Sequence, residues 1–379
     1  MKFKKMVAVL LAAAVSASVL SGCGIDKSKT VATLKDEEVT LGVFNFLCRW
    51  QQAEAEQYNK QMYDLYAQMG YAYGSAETDW TEVVENEQGE ADEDGKTKEQ
   101  DLKEQLMDTL HKMLTLKAHM SDYDVTISPE ESEKITEAAN AFIRANEEET
   151  LEEMGATQEI VEEVLNLYTI QSKMEAAIKD AAEIEVTEEE ANMAAYSLLD
   201  VEYTSTTDES GETVDYTQEE QQQIEANVKK VINYVKKGKS LKSAAKKLGY
   251  EELVTEGAYA TDENTYAASE SDLNENVKNA LDGLKQGEVS ELIKTEDCYM
   301  VVTLDKKTDK EATQEKKESL MDEKKEEAYN NLLEEWQKED GWEVKEKLFD
   351  DISFKNTFTI TTEEAEDSET GNEESTTEK

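Results

Sequence analysis

Proline occurs once in the 379 residues of this chain, at Pro129. A proline inside a helix removes a backbone hydrogen bond and clashes with the preceding turn. Its near-absence therefore favours long, uninterrupted helices. Apolar residues recur at helical spacing in three segments, which begin after Thr40, at about Glu99 and after Thr157. We predict a helix over each segment, with Thr40 as the N-cap of the first.

The pattern changes between residues 198 and 304. Two segments rich in apolar and β-branched residues, 198–206 and 298–304, predict strands. Amphipathic helices are predicted between them, and together these elements form a compact unit of ordinary domain size. We therefore predict an α+β fold for the whole chain.

Acidic residues dominate the charge of the chain. The sequence has 88 acidic and 40 basic residues, a formal net charge of −48. Such a charge repels nucleic acids, so the sequence excludes a nucleic-acid-binding function. Residues 361–379 are acidic, rich in Ser and Thr and without a large apolar residue, which predicts a disordered tail.

The first residues indicate export. A cationic start is followed by an apolar stretch, Met6 to Leu20, that is shorter than the about 20 residues a membrane-spanning helix needs. This predicts a removable signal peptide over residues 1–22. The sequence Leu20-Ser21-Gly22-Cys23 resembles the lipobox of bacterial lipoproteins. The resemblance implies lipid on Cys23 and anchoring to the extracytoplasmic face of the cell membrane; the alternative is an ordinary secretory signal with a chance cysteine.

Several motifs resemble the parvulin-type isomerase module of the PrsA/SurA group of extracytoplasmic foldases. They are Gly238-x-Ser240-Leu241-x-x-Ala244-Ala245, Leu284-x-x-Gly287-Glu288-Val289-Ser290, Lys294-Thr295 and Cys298-Tyr299-Met300-Val301-Val302-Thr303-Leu304. In that group the module interrupts a helical chaperone domain. The resemblance implies an N-terminal helical chaperone segment at 23–190 and a parvulin-like domain at 191–307. It also implies a C-terminal segment, 308–360, that packs on the N-terminal domain. For the long charged helix that runs from Asp305 to about Lys338, we expect the first helical region, with Trp50 and Tyr58, to be the partner.

The chain departs from the parvulin pattern at the catalytic positions. Active parvulins have one histidine on the first strand and one on the last. Here the first position falls near Tyr203 to Ser205 and the last is Met300, while the two histidines of the chain, His111 and His119, lie on the second helix. We therefore expect isomerase activity to be weak or absent. Candidate residues of a proline pocket are Tyr203, Ser205, Tyr259, Tyr299 and Met300, with ordinary packing as the alternative.

Aromatic and methionine side chains continue along the first helix. They form either the core of the helical domain or a surface that holds unfolded clients, because methionine adapts to irregular shapes. We expect Trp50 to point inward and the Tyr63–Tyr73 end to be partly exposed. The predicted client-binding residues are Tyr58, Met62, Tyr66 and Met69.

Two patterns that could suggest a metal site are weak. His111 and His119 are eight residues apart on one helix and have no cysteine or third histidine beside them. Residues 90–101 mimic the spacing of a calcium loop, but the first ligand is Glu90 and the last is Asp101. We expect no metal site and no cofactor. Cys48 and Cys298, which are far apart in sequence, are expected to be thiols and not a disulfide.

The sequence thus predicts a membrane-tethered foldase that assists exported proteins. Its expected partners are unfolded exported polypeptides, together with the membrane through the lipid, and a homodimer is left open. One alternative is an active prolyl isomerase with a substituted site. The other is a solute-binding lipoprotein, which would show alternating strands and helices through both halves of the chain.

Overall fold

A computed structural model describes residues 25–71, 75–85, 91, 95–207, 211–262, 264 and 273–361. The chain divides into two compact units. The helical unit combines residues 1–181 with 329–379, and the sheet unit consists of residues 182–328. The signal peptide, Cys23, residues 90 and 92–94 of the calcium-like loop and nearly all of the acidic tail lie outside the described residues.

A small antiparallel sheet joins the two ends of the helical unit. Strands β1 (Thr30–Leu34), β2 (Glu37–Thr40) and β9 (Trp342–Val344) have the order β2-β1-β9. In this sheet, Ala32 of the central strand pairs with Val344. A strand from the C-terminal segment is therefore hydrogen-bonded to the N-terminal segment, which agrees with the predicted split domain.

Five helices build the rest of the N-terminal part. They are α1 (Leu41–Gln68), α2 (Lys98–Ala118), α3 (Pro129–Ala145), α4 (Glu148–Met154) and α5 (Gln158–Ala181). Thr40 caps α1 as predicted, since its Oγ1 accepts a hydrogen bond from the Val43 amide at 3.3 Å. Pro129 lies at the start of α3, where its missing N–H costs no helical hydrogen bond.

The end of helix α9 (Lys310–Gln337) docks on helices other than α1, the partner that we expected for it. Tyr329 and Leu333 are buried in a cluster with residues of α2 and α5: Leu116, Ile170, Met174 and Ile178. Trp50, which we expected to contact this helix, packs instead on Phe142 of α3, with the two ring centroids 5.1 Å apart. The prediction of α1 as the partner of helix α9 was therefore wrong.

Two buried cations hold the C-terminal strap, which we define as residues 346–361. The Arg49 guanidinium donates hydrogen bonds to the backbone oxygens of Ser353 at 2.7 Å and Asn356 at 2.8 Å. Lys103 donates to the backbone oxygens of Phe349 and Ile352 at 2.9 and 2.7 Å. The strap lacks regular strand pairing, so these side chains satisfy carbonyl groups that would otherwise lose hydrogen bonds on burial.

The sheet unit contains the remaining elements. Its strands are β3 (Met193–Glu202), β4 (Ser205–Thr207), β5 (Thr213–Asp215), β6 (Val254–Ala260), β7 (Ile293–Lys294) and β8 (Cys298–Lys306). Its helices are α6 (Gln218–Lys236), α7 (Leu241–Lys246) and α8 (Glu275–Asp282). A further helix, α9 (Lys310–Gln337), begins in this unit, and its last residues count with the helical unit.

The main sheet is antiparallel, with the strand order β6-β3-β8-β7. Its central strand begins at Met193, earlier than the expected residue 198, because residues 193–199 pair with β6. The units divide at 181/182 and 328/329, whereas the sequence placed the boundaries at 190/191 and 307/308. Leu320 of α9 packs with Val186 and Ala191. Residues 182–190 and 308–328, which flank the predicted domain, therefore belong to the sheet unit. The predicted α+β fold is confirmed.

Candidate functional site

The alternation of side chains along β3 and β8 divides the sheet unit into two apolar clusters. Leu199, Val201 and Tyr299 belong to one cluster, which is packed with α6 and α7. Leu198 and Met300 belong to the other cluster, which is packed with α8. Successive residues of a strand point to opposite faces, so the predicted pocket residues are distributed over both sides of the sheet.

Tyr203 and Tyr299 lie together on the α6 side. Their rings stack with centroids 4.2 Å apart, and Lys294 lies over them at 4.9 and 5.5 Å. The Tyr203 hydroxyl donates to the backbone oxygen of Glu296 at 2.8 Å. Burial raises the pKa of the Tyr299 hydroxyl, and Lys294 opposes that shift. Both side chains are buried, so their position corresponds to the packing alternative.

Tyr259 and Met300 lie on the α8 side, in one buried cluster. Burial, followed by the charge of Asp282, raises the pKa of the Tyr259 hydroxyl to about 12, so the hydroxyl remains protonated at neutral pH. Ser205 lies in β4, which pairs with β5 outside the main sheet, and donates to the Glu202 carboxylate at 2.7 Å. The five predicted pocket residues therefore do not form one group.

The residue opposite Met300 on the first strand is Asp200. Tyr203 to Ser205, where we expected the first-strand position, lie beyond the last residue of β3 and are not opposite Met300. Oδ1 of Asp200 is buried and has no hydrogen-bond partner among the described residues. Burial, and then the neighbouring Asp200 carboxylate, raises the pKa of the Cys298 thiol to about 12.

This position therefore combines a carboxylate, a thiol and a thioether. An ionised carboxylate only accepts hydrogen bonds, and the weakly acidic Cys298 thiol is a poor nucleophile at neutral pH. The group could accept a hydrogen bond from an amide N–H of a bound chain. Sequence reasoning missed Asp200, although it lies in the predicted strand 198–206, because only the pairing of β3 with β8 places it opposite Met300.

The two histidines lie in the helical unit, and each stacks on a tryptophan. His111 is parallel to Trp342 at 4.6 Å, and its Nε2 lies 2.7 Å from Oδ2 of Asp340. His119 is parallel to Trp336 at 3.9 Å. These contacts give both rings a packing role. Within the described ranges, no group of three or more His, Cys, Asp or Glu side chains is arranged to hold a metal ion.

The C-terminal half of α1 exposes large apolar side chains. We define the α1 patch as Tyr58, Leu65, Tyr66, Met69 and Tyr71, whose exposed fractions are 62%, 49%, 47%, 52% and 65%. Three of the four predicted client-binding residues belong to it, and the fourth, Met62, is half-buried. Leu65 and Tyr71 extend the predicted set. Tyr73, the end of the stretch that we expected to be partly exposed, lies outside the described residues.

Cys48 and Cys298 are free thiols. In the part of the chain that the structure describes, no helix has the length and apolar character needed to cross a membrane.

Comparison with known proteins identifies one domain. Residues 209–316 match the family model of the PPIC-type PPIASE domain, a range that begins after β3 and ends within α9. No curated protein matches the chain.

The chain is also similar to several solved structures, among them the following three. Foldase protein PrsA from Lactococcus lactis is 14% identical, with 85% of this chain and 97% of that chain covered and a TM-score of 0.32. PrsA from Bacillus subtilis is 18% identical, with 73% and 100% covered and a TM-score of 0.21. Peptidylprolyl isomerase (PrsA) from Bacillus anthracis is 16% identical, with 65% and 100% covered and a TM-score of 0.23.

The family match confirms the parvulin module that the motifs implied. It includes the Gly287-Glu288-Val289-Ser290 turn and the strand β8, on which the resemblance depended. Residues 209–316 of the chain therefore contain a PPIC-type, or parvulin-type, peptidyl-prolyl isomerase domain.

Proposed function

We propose that this protein is a lipid-anchored chaperone of the foldase type on the extracytoplasmic face of the cell membrane. In this proposal the helical unit holds unfolded exported polypeptides, and the parvulin domain has weak isomerase activity or none. The observation that carries the proposal is the α1 patch, an exposed apolar surface in a chain that also contains a PPIC-type domain.

The α1 patch has the chemistry of a surface that binds without sequence preference. Tyr58, Leu65 and Met69 are spaced seven and four residues apart, so they share one face of the helix. Exposed apolar groups of this size on a soluble protein often mark an interaction surface. The proposed occupant is an unfolded polypeptide that exposes its own apolar side chains, because tyrosine and methionine offer large contact areas that adapt to different shapes.

The net charge of −48 supports the same role. An apolar patch on a weakly charged protein would promote association between copies of the protein. Strong like charge opposes that association and keeps a complex with an aggregation-prone chain soluble. Apolar capture and electrostatic repulsion are thus compatible in one molecule.

An aggregation assay tests the patch. We expect a Tyr66→Ser/Met69→Ser variant of the full chain to suppress the light scattering of a denatured model protein less well than the wild type. The matched control is Val214→Ser/Leu253→Ser, since these side chains are 47% and 44% exposed but lie in the sheet unit. Equal suppression by both variants would remove the basis of the proposal.

The groups around Met300 support the proposal that isomerase activity is weak or absent. Isomerisation lowers a rotational barrier of roughly 18–20 kcal/mol and needs a placed donor or a dry pocket rather than a nucleophile. Asp200 in its ionised form cannot donate a hydrogen bond, and Tyr203 and Tyr299 belong to the cluster on the other face of the sheet.

A proline-limited refolding assay separates this proposal from the alternative of an active isomerase. We expect the wild type to leave the slow refolding phase unchanged, because neither an ionised Asp200 nor Met300 can donate a hydrogen bond. Clear acceleration that is lost in Asp200→Asn or Met300→Ala would establish the alternative. Tyr203→Phe, which keeps the ring, is the matched control.

The anchor is tested separately. In a bacterial host that processes lipoproteins, we expect the wild type to partition into the detergent phase of a Triton X-114 extract, and Cys23→Ser to remain in the aqueous phase. A Cys48→Ser variant controls for the loss of a thiol. Equal partitioning of all three proteins would favour the ordinary secretory signal.

A further inference from the structure

A cavity of about 580 Å³ lies where β3 begins and β8 ends, beside the C-terminal end of α8. This is the opposite end of β3 from Asp200. The volume is within the range of about 300–1,000 Å³ that is typical of ligand pockets. The apolar part of its lining consists of Ala194, Leu281, Leu284 and Leu304.

The polar part of the lining is predominantly acidic. Glu188, Glu189 and Asp282 contribute three carboxylates, and Lys307 contributes one cation. The Glu188 carboxylate, which is 82% exposed, pairs with Lys317 at 2.9 Å. Glu189 and Asp282 are therefore the carboxylates most available to a ligand.

Tyr259 places a polar group at the edge of the apolar surface. Its ring is buried against Ala194 and Leu281, and its hydroxyl interacts with Asp282. The pKa of the Tyr259 hydroxyl is raised to about 12 by burial and then by Asp282. The hydroxyl therefore keeps its proton at neutral pH, beside the Asp282 carboxylate.

Asn192 fixes the rim on the side of β3. Its Nδ2 donates to Oγ1 of Thr261 at 2.9 Å and to the backbone oxygen of Lys307 at 3.1 Å. Its Oδ1 accepts from Thr308 Oγ1 at 2.6 Å. These bonds hold the ends of β6 and β8 together, so the rim is formed before any ligand arrives.

We propose that this cavity binds a lysine or arginine side chain, together with an apolar neighbour, from an unfolded client polypeptide. The inference rests on the proposed chaperone function and assigns a second binding site to it. The aliphatic stem of a long cationic side chain fits the apolar surface, while its head reaches the carboxylates at the rim. An anionic ligand would meet the carboxylates, and a second copy of this chain would be repelled by its charge of −48.

Two unstructured peptides of equal length test the proposal. They differ at one central position, Leu-Lys-Leu in one and Leu-Gln-Leu in the other, and both are titrated into the full chain. We expect the lysine peptide to bind about fivefold more tightly to the wild type, an effect of the size that partly exposed ion pairs produce.

The variant Glu189→Gln/Asp282→Asn should remove this preference. The control Glu252→Gln/Glu275→Gln changes the net charge equally, at exposed positions outside the cavity, and should keep it. Equal affinity of the two peptides for the wild type, or a preference that survives in the cavity variant, would overturn the inference.

Amide chemical shifts give a second measurement. We expect the lysine peptide to shift the signals of Leu281, Asp282 and Thr308 in the labelled full chain. If free spermidine shifts them and the peptide does not, the cavity is a polyamine site and the polypeptide assignment is wrong.

The peptide result also separates this inference from the proposed function. Peptide binding without a lysine preference, weakened by Tyr66→Ser/Met69→Ser, would overturn only the cavity assignment. If neither peptide binds the wild type, both proposals fail.

Discussion

At the scale of single residues, Arg49 holds the C-terminal strap against α1, a role that no pattern in the sequence indicates. Its side chain is 2% exposed and lies over the Phe358 ring at 4.7 Å. It also contacts Gln52 and Glu153, in addition to the two backbone oxygens of the strap. Arg49 thus connects α1 to the strap through one planar group, a geometry that lysine cannot reproduce.

Replacing Arg49 tests this connection. We expect Arg49→Lys to lower the free energy of unfolding of the helical unit by about 2–4 kcal/mol, because strap carbonyls lose their donors while a buried charge remains. Urea unfolding followed by tryptophan fluorescence measures the effect, since Trp50, Trp80, Trp336 and Trp342 all lie in the helical unit.

The other arginine of the chain gives a matched control. Arg144 is exposed on α3, so Arg144→Lys should leave the midpoint of unfolding unchanged. A loss of stability in Arg144→Lys as large as that in Arg49→Lys would contradict the role of Arg49 as the specific link.

The sequence alone showed that the parvulin domain contains no histidine, but it did not identify the residue opposite Met300. Composition was enough to show that no histidine could lie in the parvulin domain, because both histidines precede it. The identity of the residue opposite Met300 depended on the strand register, which includes an irregularity between Ala195 and Tyr196. Nothing local in the sequence marks that shift.

At the scale of elements, helix starts were the most predictable feature. Ser128 and Glu131 form a capping box at the start of α3, and the Ser128 amide donates to the Glu131 carboxylate at 2.8 Å. Lys173 of α5 also donates to that carboxylate at 2.7 Å. The Lys173 hydrogen bond, followed by the Ser128 amide, lowers the pKa of Glu131 from 4.5 to about 2.

This shift predicts a pH-dependent contribution to stability. Because the pKa of Glu131 is lower in the folded state, its contribution is complete above pH 4.5 and is lost as the pH falls from 4.5 to about 2. The Glu131 side chain is 35% exposed, so solvent screening limits the effect to about 1 kcal/mol or less.

We therefore expect Glu131→Gln to be less stable than the wild type at about pH 7, and the difference to shrink as the pH approaches 2. Urea unfolding with tryptophan detection at several pH values measures it. Glu133→Gln, on an exposed position of the same helix, is the control. A difference that stays constant across this pH range would show that the carboxylate charge is not the cause.

Helix packing was less predictable than helix position. The apolar stripe of α1 is continuous from Val43 to Met69, so periodicity did not show where burial ends. The structure buries the part up to Ala53 and exposes much of the rest. The thin apolar stripe of α9 likewise did not identify its partner, since we expected α1 and the helix packs with α2 and α5.

At the scale of the whole molecule, the order of segments was predictable and their exact limits were not. The change from helical to strand periodicity indicated the inserted sheet unit. The limits depend on α9, which runs as one helix through the division at 328/329, and helical periodicity gives no signal at such a point.

Removal of the sheet unit tests the independence of the helical unit. We expect a chain in which a flexible linker replaces residues 182–328 to unfold in one cooperative transition with tryptophan detection, because its core clusters contain only residues of the helical unit. Truncation after residue 328 should abolish that transition, since it removes β9 and the strap. Cooperative unfolding of the truncated chain would contradict the need for the C-terminal segment.

The pairing of β1 with β9 also sets an order of events during synthesis. When Ala32 has been made, its partner Val344 is still to come, and the loop between them includes the whole sheet unit. Closing so long a loop is slow compared with forming local contacts. On a growing chain the sheet unit can therefore fold first, while one edge of β1 stays unpaired until β9 has been synthesised.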